Sequence, residues 1–123
     1  MLFNYRRDSY REIDWIILIG ELVDRDQAKE LIEEFEKLTK YAPRNFILDL
    51  RGLRYMNSCG LNTLLKIRAK VIQNGKSIAV VTGQSSKIHE LLIISKLKNI
   101  FNATTNLDKA IDLLSNSQNT QAA

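Results

Sequence analysis

Apolar positions along the chain switch between two spacings. Ile13, Trp15, Ile17 and Ile19 recur every second residue, the mark of a strand with one buried face, and Ile16 and Leu18 imply partial cover on the other. Leu2 to Arg7 alternate weakly and predict an edge strand, with Asp8 to Tyr10 as the turn after it. Beyond Gly20 the spacing changes. Ala28, Leu31, Ile32, Phe35 and Leu38 fall on one helical face, with Glu33, Glu34, Glu36 and Lys37 opposite. Asp24 with Gln27 three residues on forms a capping-box variant at the start of this helix. The helix is expected to run to about Thr39 or Lys40, and Pro43 prevents any continuation.

Phe46 to Leu50 is an apolar run too short for a helix and predicts a central strand. A short polar crossing leads to the turn Asn57-Ser58-Cys59-Gly60, and a helix is predicted from about Gly60 to Gln73, stopped by Asn74-Gly75. Ser77 to Thr82 predicts another buried strand. Ser85 or Ser86 can cap a third helix carrying Ile88, Leu91, Leu92 and Leu97, and Ile100-Phe101 predicts a last short strand. Asn106 caps a final helix through Leu107, Ala110, Ile111 and Leu114. Residues 115–123 are polar, lack aromatics and predict a disordered tail beyond a single domain of residues 1–114. Strands alternating with helices define an α/β layer fold with a mostly parallel sheet, the first two strands forming a hairpin at one side.

Composition narrows the class. A chain of 123 residues that is 45% hydrophobic and 26% charged reads as one globular domain with a core of its own. One cysteine allows no internal disulfide and suits a reducing compartment. No apolar run reaches membrane-spanning length, and Arg6, Arg7 and Asp8 interrupt any signal-peptide core, so the expected location is the cytoplasm with no membrane insertion. The net charge of +4 is spread among carboxylates without a basic stripe, which argues against nucleic acid and is equally suited to an acidic protein partner.

The candidate chemistry gathers around residue 58. A serine at the start of a helix sits where free backbone N–H groups and the positive end of the dipole converge. Ser58 reads as a helix cap, a role Asn57 could equally fill, or as a phosphate acceptor whose new charge the dipole tolerates. Cys59 reads as a small, partly buried thiol, because His89 is the single histidine and nothing in the sequence places it nearby as a base. His89 is expected on a solvated helix face beside Glu90. Arg68 lies within an apolar helical sector, either snorkelling to the edge or bonding a carboxylate such as Asp49 or a partner protein. Arg51 and Arg54 read as exposed loop charges or as residues that steer a partner toward Ser58. There is no phosphate-binding glycine loop, no nucleophile elbow, no metal-ligand cluster and no catalytic constellation.

The segment F-I-L-D-L-R-G-L-R-Y-M-N-S-C-G-L-N-T-L-L resembles the signature of STAS domains, in particular the bacterial anti-sigma factor antagonists. G-E-L at Gly20 to Leu22 followed by Asp24, N-G-K-S-I-A-V-V, and L-L-x-x-S-K-L-x-x-I-F are similar to the family's flanking segments, so the resemblance runs from about Ile13 to Leu114. It implies a mixed, mostly parallel sheet of four to five strands with about four helices packed mainly on one side. It also implies phosphorylation at Ser58. The unmodified antagonist would bind an anti-sigma factor that is also a serine protein kinase, phosphorylation would release it, and a PP2C-type serine phosphatase would reset it. The chain would then be a substrate and binding module without cofactor, metal or enzymatic activity of its own. The expected contact face comprises Asp24, Arg25, Asp26, Arg54, Asn57, Ser58, Cys59, Gly60, Leu61 and Asn62. The alternative is a STAS subunit of a larger assembly in which the serine is simply a cap. Two positions depart from the pattern: Asn57 stands where the family usually has aspartate, and Lys96 where a glycine is common.

Overall fold

The computed structural model describes residues 3–41, 44–84 and 86–122, with the side chains of 41 and 116–122 outside the description. Strand β1 spans Phe3–Tyr10 and β2 Ile13–Leu22, followed by α1 at Arg25–Tyr41 and β3 at Asn45–Met56. Helix α2 covers Ser58–Gln73, β4 Ile78–Val81, α3 Lys87–Ile94, β5 Ala103–Thr104 and α4 Leu107–Ala122. The strands form one sheet in the order β1-β2-β3-β4-β5, with β1 antiparallel to β2 and every other neighbour parallel. This is the mixed, mostly parallel α/β sheet that the alternating spacings predict.

The strand order explains where the helices lie. Each parallel connection runs through one helix and advances one place in the same direction across the sheet. Such crossovers are right-handed almost without exception, so their helices fall on one face. Leu31 and Phe35 of α1, Leu64, Ile67 and Val71 of α2, and Ile88 and Leu92 of α3 accordingly share one core with Ile16, Leu18, Phe46, Leu48 and Val80. Helix α4 comes after the last strand and turns back over the other face, where Ala110 and Leu114 bury Ile13, Ile47, Ala79 and Val81.

Several boundaries differ from expectation, each for a local reason. Asp8 to Tyr10 continue β1, and the turn falls at Arg11-Glu12, where Arg11 takes a positive φ of 55°. Arg44 closes that turn by donating to the carbonyls of Arg11 at 2.6 Å and Glu12 at 2.9 Å. On β2 the main core takes Ile16, Leu18 and Leu22, while Ile13 and Trp15 face α4 and Ile19 is exposed, so the major buried face is the reverse of the one predicted. Ile100-Phe101 lie in a turn, with Phe101 plugging the core, and the last strand is Ala103–Thr104. Helix α4 runs past Leu114 to Ala122, since no proline or glycine in the segment 115–122 stops it. The expected roles of Leu2, Pro43 and Ser85 fall outside the described residues; Ser86 is the observed cap of α3, accepting the His89 N–H at 3.0 Å.

Strand β3 shows the most consequential difference. It continues from Arg51 to Met56, the stretch that the sequence presents as a short polar crossing, and buries Leu53 and Met56 in the core. Its pairing with β2 slips between Ile17 and Ile19, where β3 advances from Asp49 to Gly52, and slips again before Tyr55. Bulges of this kind break the alternation that identifies a strand and re-aim the side chains beyond them. Asp49 secures the first one. Its carboxylate accepts the Arg51 backbone N–H at 3.1 Å, the Arg51 guanidinium at 2.9 and 2.6 Å, and the Trp15 indole N–H at 3.1 Å. Burial pushes the Asp49 carboxyl upward, but these donors outweigh it and hold it below the usual carboxylate range.

Candidate functional site

Asn57 is the residue that caps α2. Its backbone is extended, and its side-chain oxygen accepts the Gly60 N–H at 3.1 Å while its carbonyl accepts the Leu61 N–H at 3.0 Å. The amide nitrogen does a second job that a carboxylate could not: it donates to the Val23 carbonyl at 3.3 Å. The departure from aspartate at this position thus ties the start of α2 to the loop after β2. Ser58 is left at the first helical position, exposed, with no hydrogen bond to its hydroxyl among the described residues. The cap reading of Ser58 therefore gives way: the neighbouring amide has taken that work and freed the hydroxyl.

Gly60 sets how closely the turn approaches the sheet. A Cβ there would lie 2.4 Å from the Leu22 carbonyl oxygen and 2.8 Å from Met56 Cβ. Glycine is needed for this contact, because helix and strand end meet backbone to side chain. The same region receives the start of α1. Asp24 Oδ1 accepts the Asp26 N–H at 2.7 Å, and Gln27 Oε1 reaches back to the N–H groups of Asp24 at 3.3 Å and Val23 at 3.4 Å. Two helix starts, α1 and α2, are thereby joined through Val23.

Ser58 stands between two depressions. One is a cleft of about 740 Å³ between α1 and α2, lined by Arg25, Lys29, Glu33, Glu36, Cys59, Asn62 and Lys66 as well as Ser58. Glu36 in its wall is paired with Lys70 at 2.8 Å, bridging the two helices. The other is a groove of about 440 Å³ between the start of α2 and α3, lined by Arg54, Tyr55, Met56, Asn57, Leu61, Lys87, Ile88 and Leu91 together with Ser58. Of the expected contact residues, Arg25, Cys59 and Asn62 join Ser58 in the first, and Arg54, Asn57 and Leu61 in the second. Asp24 and Asp26 line neither; they are exposed at the start of α1, and Gly60 is buried beneath the turn.

Other candidates resolve into structural roles. Arg51 is clamped by Asp49, whose carboxylate raises its affinity for the proton, so the Asp49 pair holds it in place of a steering role. Arg68 donates to the Ile100 carbonyl at 3.1 Å, tying α2 to the turn before β5; its partner is neither Asp49 nor another carboxylate. His89 Nδ1 lies 2.6 Å from Thr82 Oγ1 and is half-buried, not solvated as its neighbour Glu90 suggests. Lys96 sits at φ 61° and ends α3 as a glycine would: its N–H donates to Ile93 at 3.0 Å and that of Leu97 to Leu92 at 2.8 Å. No cluster of metal-ligating side chains occurs among the described residues, and none of their helices is long and apolar enough to cross a membrane.

The expected contact face leaves out Lys29, Glu33, Glu36 and Lys66 among the residues that line the first cleft, and Tyr55, Met56, Lys87, Ile88 and Leu91 among those that line the second. Lys66 was within reach, because residues 58, 59, 62, 63 and 66 lie along one helical face and all line the first cleft. The contribution of α3 had no sequence signal, since it depends on which helix the sheet order places beside α2.

Against this geometry the relatives take their place. The STAS domain model matches residues 10–110, and the chain belongs to that family. Its fold is that of an anti-sigma factor antagonist from Mycobacterium paratuberculosis, at a TM-score of 0.77 and 17% identity over 93% of this chain and 95% of that one. SpoIIAA in its unphosphorylated form aligns at a TM-score of 0.72 and 17% identity, over 92% and 97%. The Bacillus cell fate determinant SpoIIAA in its phosphorylated form aligns at 0.64 and 18% identity, over 89% and 97%.

Proposed function

We propose that this chain is an anti-sigma factor antagonist in a cytoplasmic partner-switching pathway, with Ser58 as its phosphorylated residue. The observation that carries the reading is the exposed hydroxyl of Ser58 at the first position of α2, without a hydrogen bond among the described residues and beside a cap that Asn57 already supplies. Phosphorylation there adds about −1.5 to −2 charges where the dipole of α2 favours anions. Arg25, Lys29 and Lys66 on one side, and Arg54 and Lys87 on the other, add cations from the chain itself. The modified fold is thus retained while the contact surface changes sign.

The unmodified turn, with Arg25, Arg54, Cys59, Leu61 and Asn62, docks on an anti-sigma factor that is also a serine protein kinase. Asp24, Asp26, Asn57 and Gly60 belong to the same face as the residues that shape it. The kinase partner modifies Ser58 and loses its grip, and a PP2C-type phosphatase restores the bound form. The chain itself is not an enzyme in this scheme. Driving occupancy from 99:1 to 1:99 needs about 5.5 kcal/mol of differential binding.

Intact-mass spectrometry of the chain purified from its own cells, with and without phosphatase treatment, tests the reading. The expected result is a phosphatase-sensitive increment of about 80 Da that is lost in Ser58→Ala. Absence of the increment in both samples would point to a non-switching STAS subunit of a larger assembly.

A further inference from the structure

The groove between α2 and α3 carries a chemistry of its own. Its floor and walls are Met56, Leu61, Ile88, Leu91 and Tyr55, and Tyr55 is 52% exposed although it is a large aromatic. Tyr55 extends the apolar lining of the groove to its rim, and an apolar depression edged by charged groups has the make-up of a protein-binding surface. The cationic groups lining the groove are Arg54 and Lys87, and no carboxylate lines it among the described residues. The cleft on the other side of Ser58 differs, since cations there alternate with Glu33 and Glu36.

We infer that this groove seats an acidic amphipathic segment of the partner protein. The segment inserts one bulky apolar side chain over Leu61, Ile88 and Leu91 and lays carboxylates along Lys87 and Arg54. Apolar anchors supply the affinity in such a contact, and rim charges supply orientation and choice of partner. The inference rests on the Ser58 reading in one respect: Ser58 is on the rim of this groove, so its phosphate would face the segment's carboxylates. Like charges brought together in this way cost several-fold to many-fold in affinity. Ejection then results from the partner's own acidity, with no rearrangement of the domain.

A random-peptide phage library panned on the unmodified chain tests this. The expected result is enrichment of peptides with acidic residues flanking an aromatic or long aliphatic one. Their binding is expected to fall about tenfold or more with Lys87→Glu, and also with Tyr55→Ala. Lys87 is exposed at the first position of α3, where an acid suits the dipole, so this variant stays folded. Failure to enrich any peptide, enrichment of basic peptides, or indifference to both variants would overturn the inference. Loss with Lys87→Glu but full retention with Ser58→Glu would uphold the groove's occupant and overturn the switch at Ser58.

Discussion

Replacing Gly60 with alanine is the sharpest perturbation of the site that leaves its chemistry untouched. The added Cβ would stand 2.4 Å from the Leu22 carbonyl oxygen, and contacts below 3.0 Å are essentially never seen, so the two groups must part by at least the difference, 3.0 − 2.4 Å, on the order of 0.6 Å. The obstacle is backbone at the end of β2 and cannot rotate aside; Met56 Cβ at 2.8 Å blocks retreat on a second side. Overpacking of this kind costs about 1–3 kcal/mol, and the better helix propensity of alanine returns at most about 1 kcal/mol. The expected net loss is about 1–2 kcal/mol, read as a lower denaturation midpoint at unchanged slope in guanidinium chloride. The start of α2 moves with the new side chain, so partner binding and Ser58 phosphorylation are expected to drop further than stability alone explains. Gly75→Ala is the matched control. It lies at φ 74° at the far end of α2 with open space around it, so it costs about 1 kcal/mol through backbone strain while leaving the Ser58 turn in place. A Gly60→Ala protein as stable as the parent, or one no worse than Gly75→Ala in phosphorylation, would refute the reasoning.

Three further outcomes are expected. Lys96→Gly should stabilise the chain by about 0.5–1 kcal/mol in thermal or chemical denaturation, because Lys96 holds a left-handed conformation that suits glycine; a destabilised variant would contradict this. Asn57→Ala should lose about 1–2 kcal/mol, as both the α2 cap and the bond to Val23 disappear, and Asn57→Asp should keep the cap and lose the tether; equal stability of all three proteins would argue against it. Asp49 has a folded-state pKa below its unfolded value, so its contribution is present above the ordinary carboxylate range of about 3.9 and is lost as pH falls through the folded value. Asp49→Asn should therefore destabilise at neutral pH and flatten the acid limb of a stability–pH profile, and an unchanged acid limb would rule out that role.

The element order and the position of Ser58 could be read from spacing alone, because the helical periods and the Asn57-Ser58-Cys59-Gly60 turn are local signals. The choice of cap could not. Asn57 and Ser58 are both good caps, and what decides between them is Val23, a residue distant in sequence whose carbonyl binds the Asn57 amide. The length of β3 was hidden for a similar reason: its bulges break the alternation, and Arg51, which looks like a loop charge, is locked to Asp49. On β2 both faces are apolar, so periodicity could not say which of them meets the three-helix layer. The groove beside Ser58 needed the sheet order as well, because Lys87 and Leu91 reach it only through the topology that places α3 next to α2.

Charge placed on one exposed hydroxyl is proposed to release the partner from an intact domain. Titrating the kinase-type regulator with the unmodified chain and with chain fully phosphorylated at Ser58, each first checked for an unchanged folded spectrum, tests this directly. The expected result is a fall in affinity that approaches about 10⁴-fold for a complete switch. Equal affinity of the two folded forms, or unfolding on phosphorylation, would contradict it.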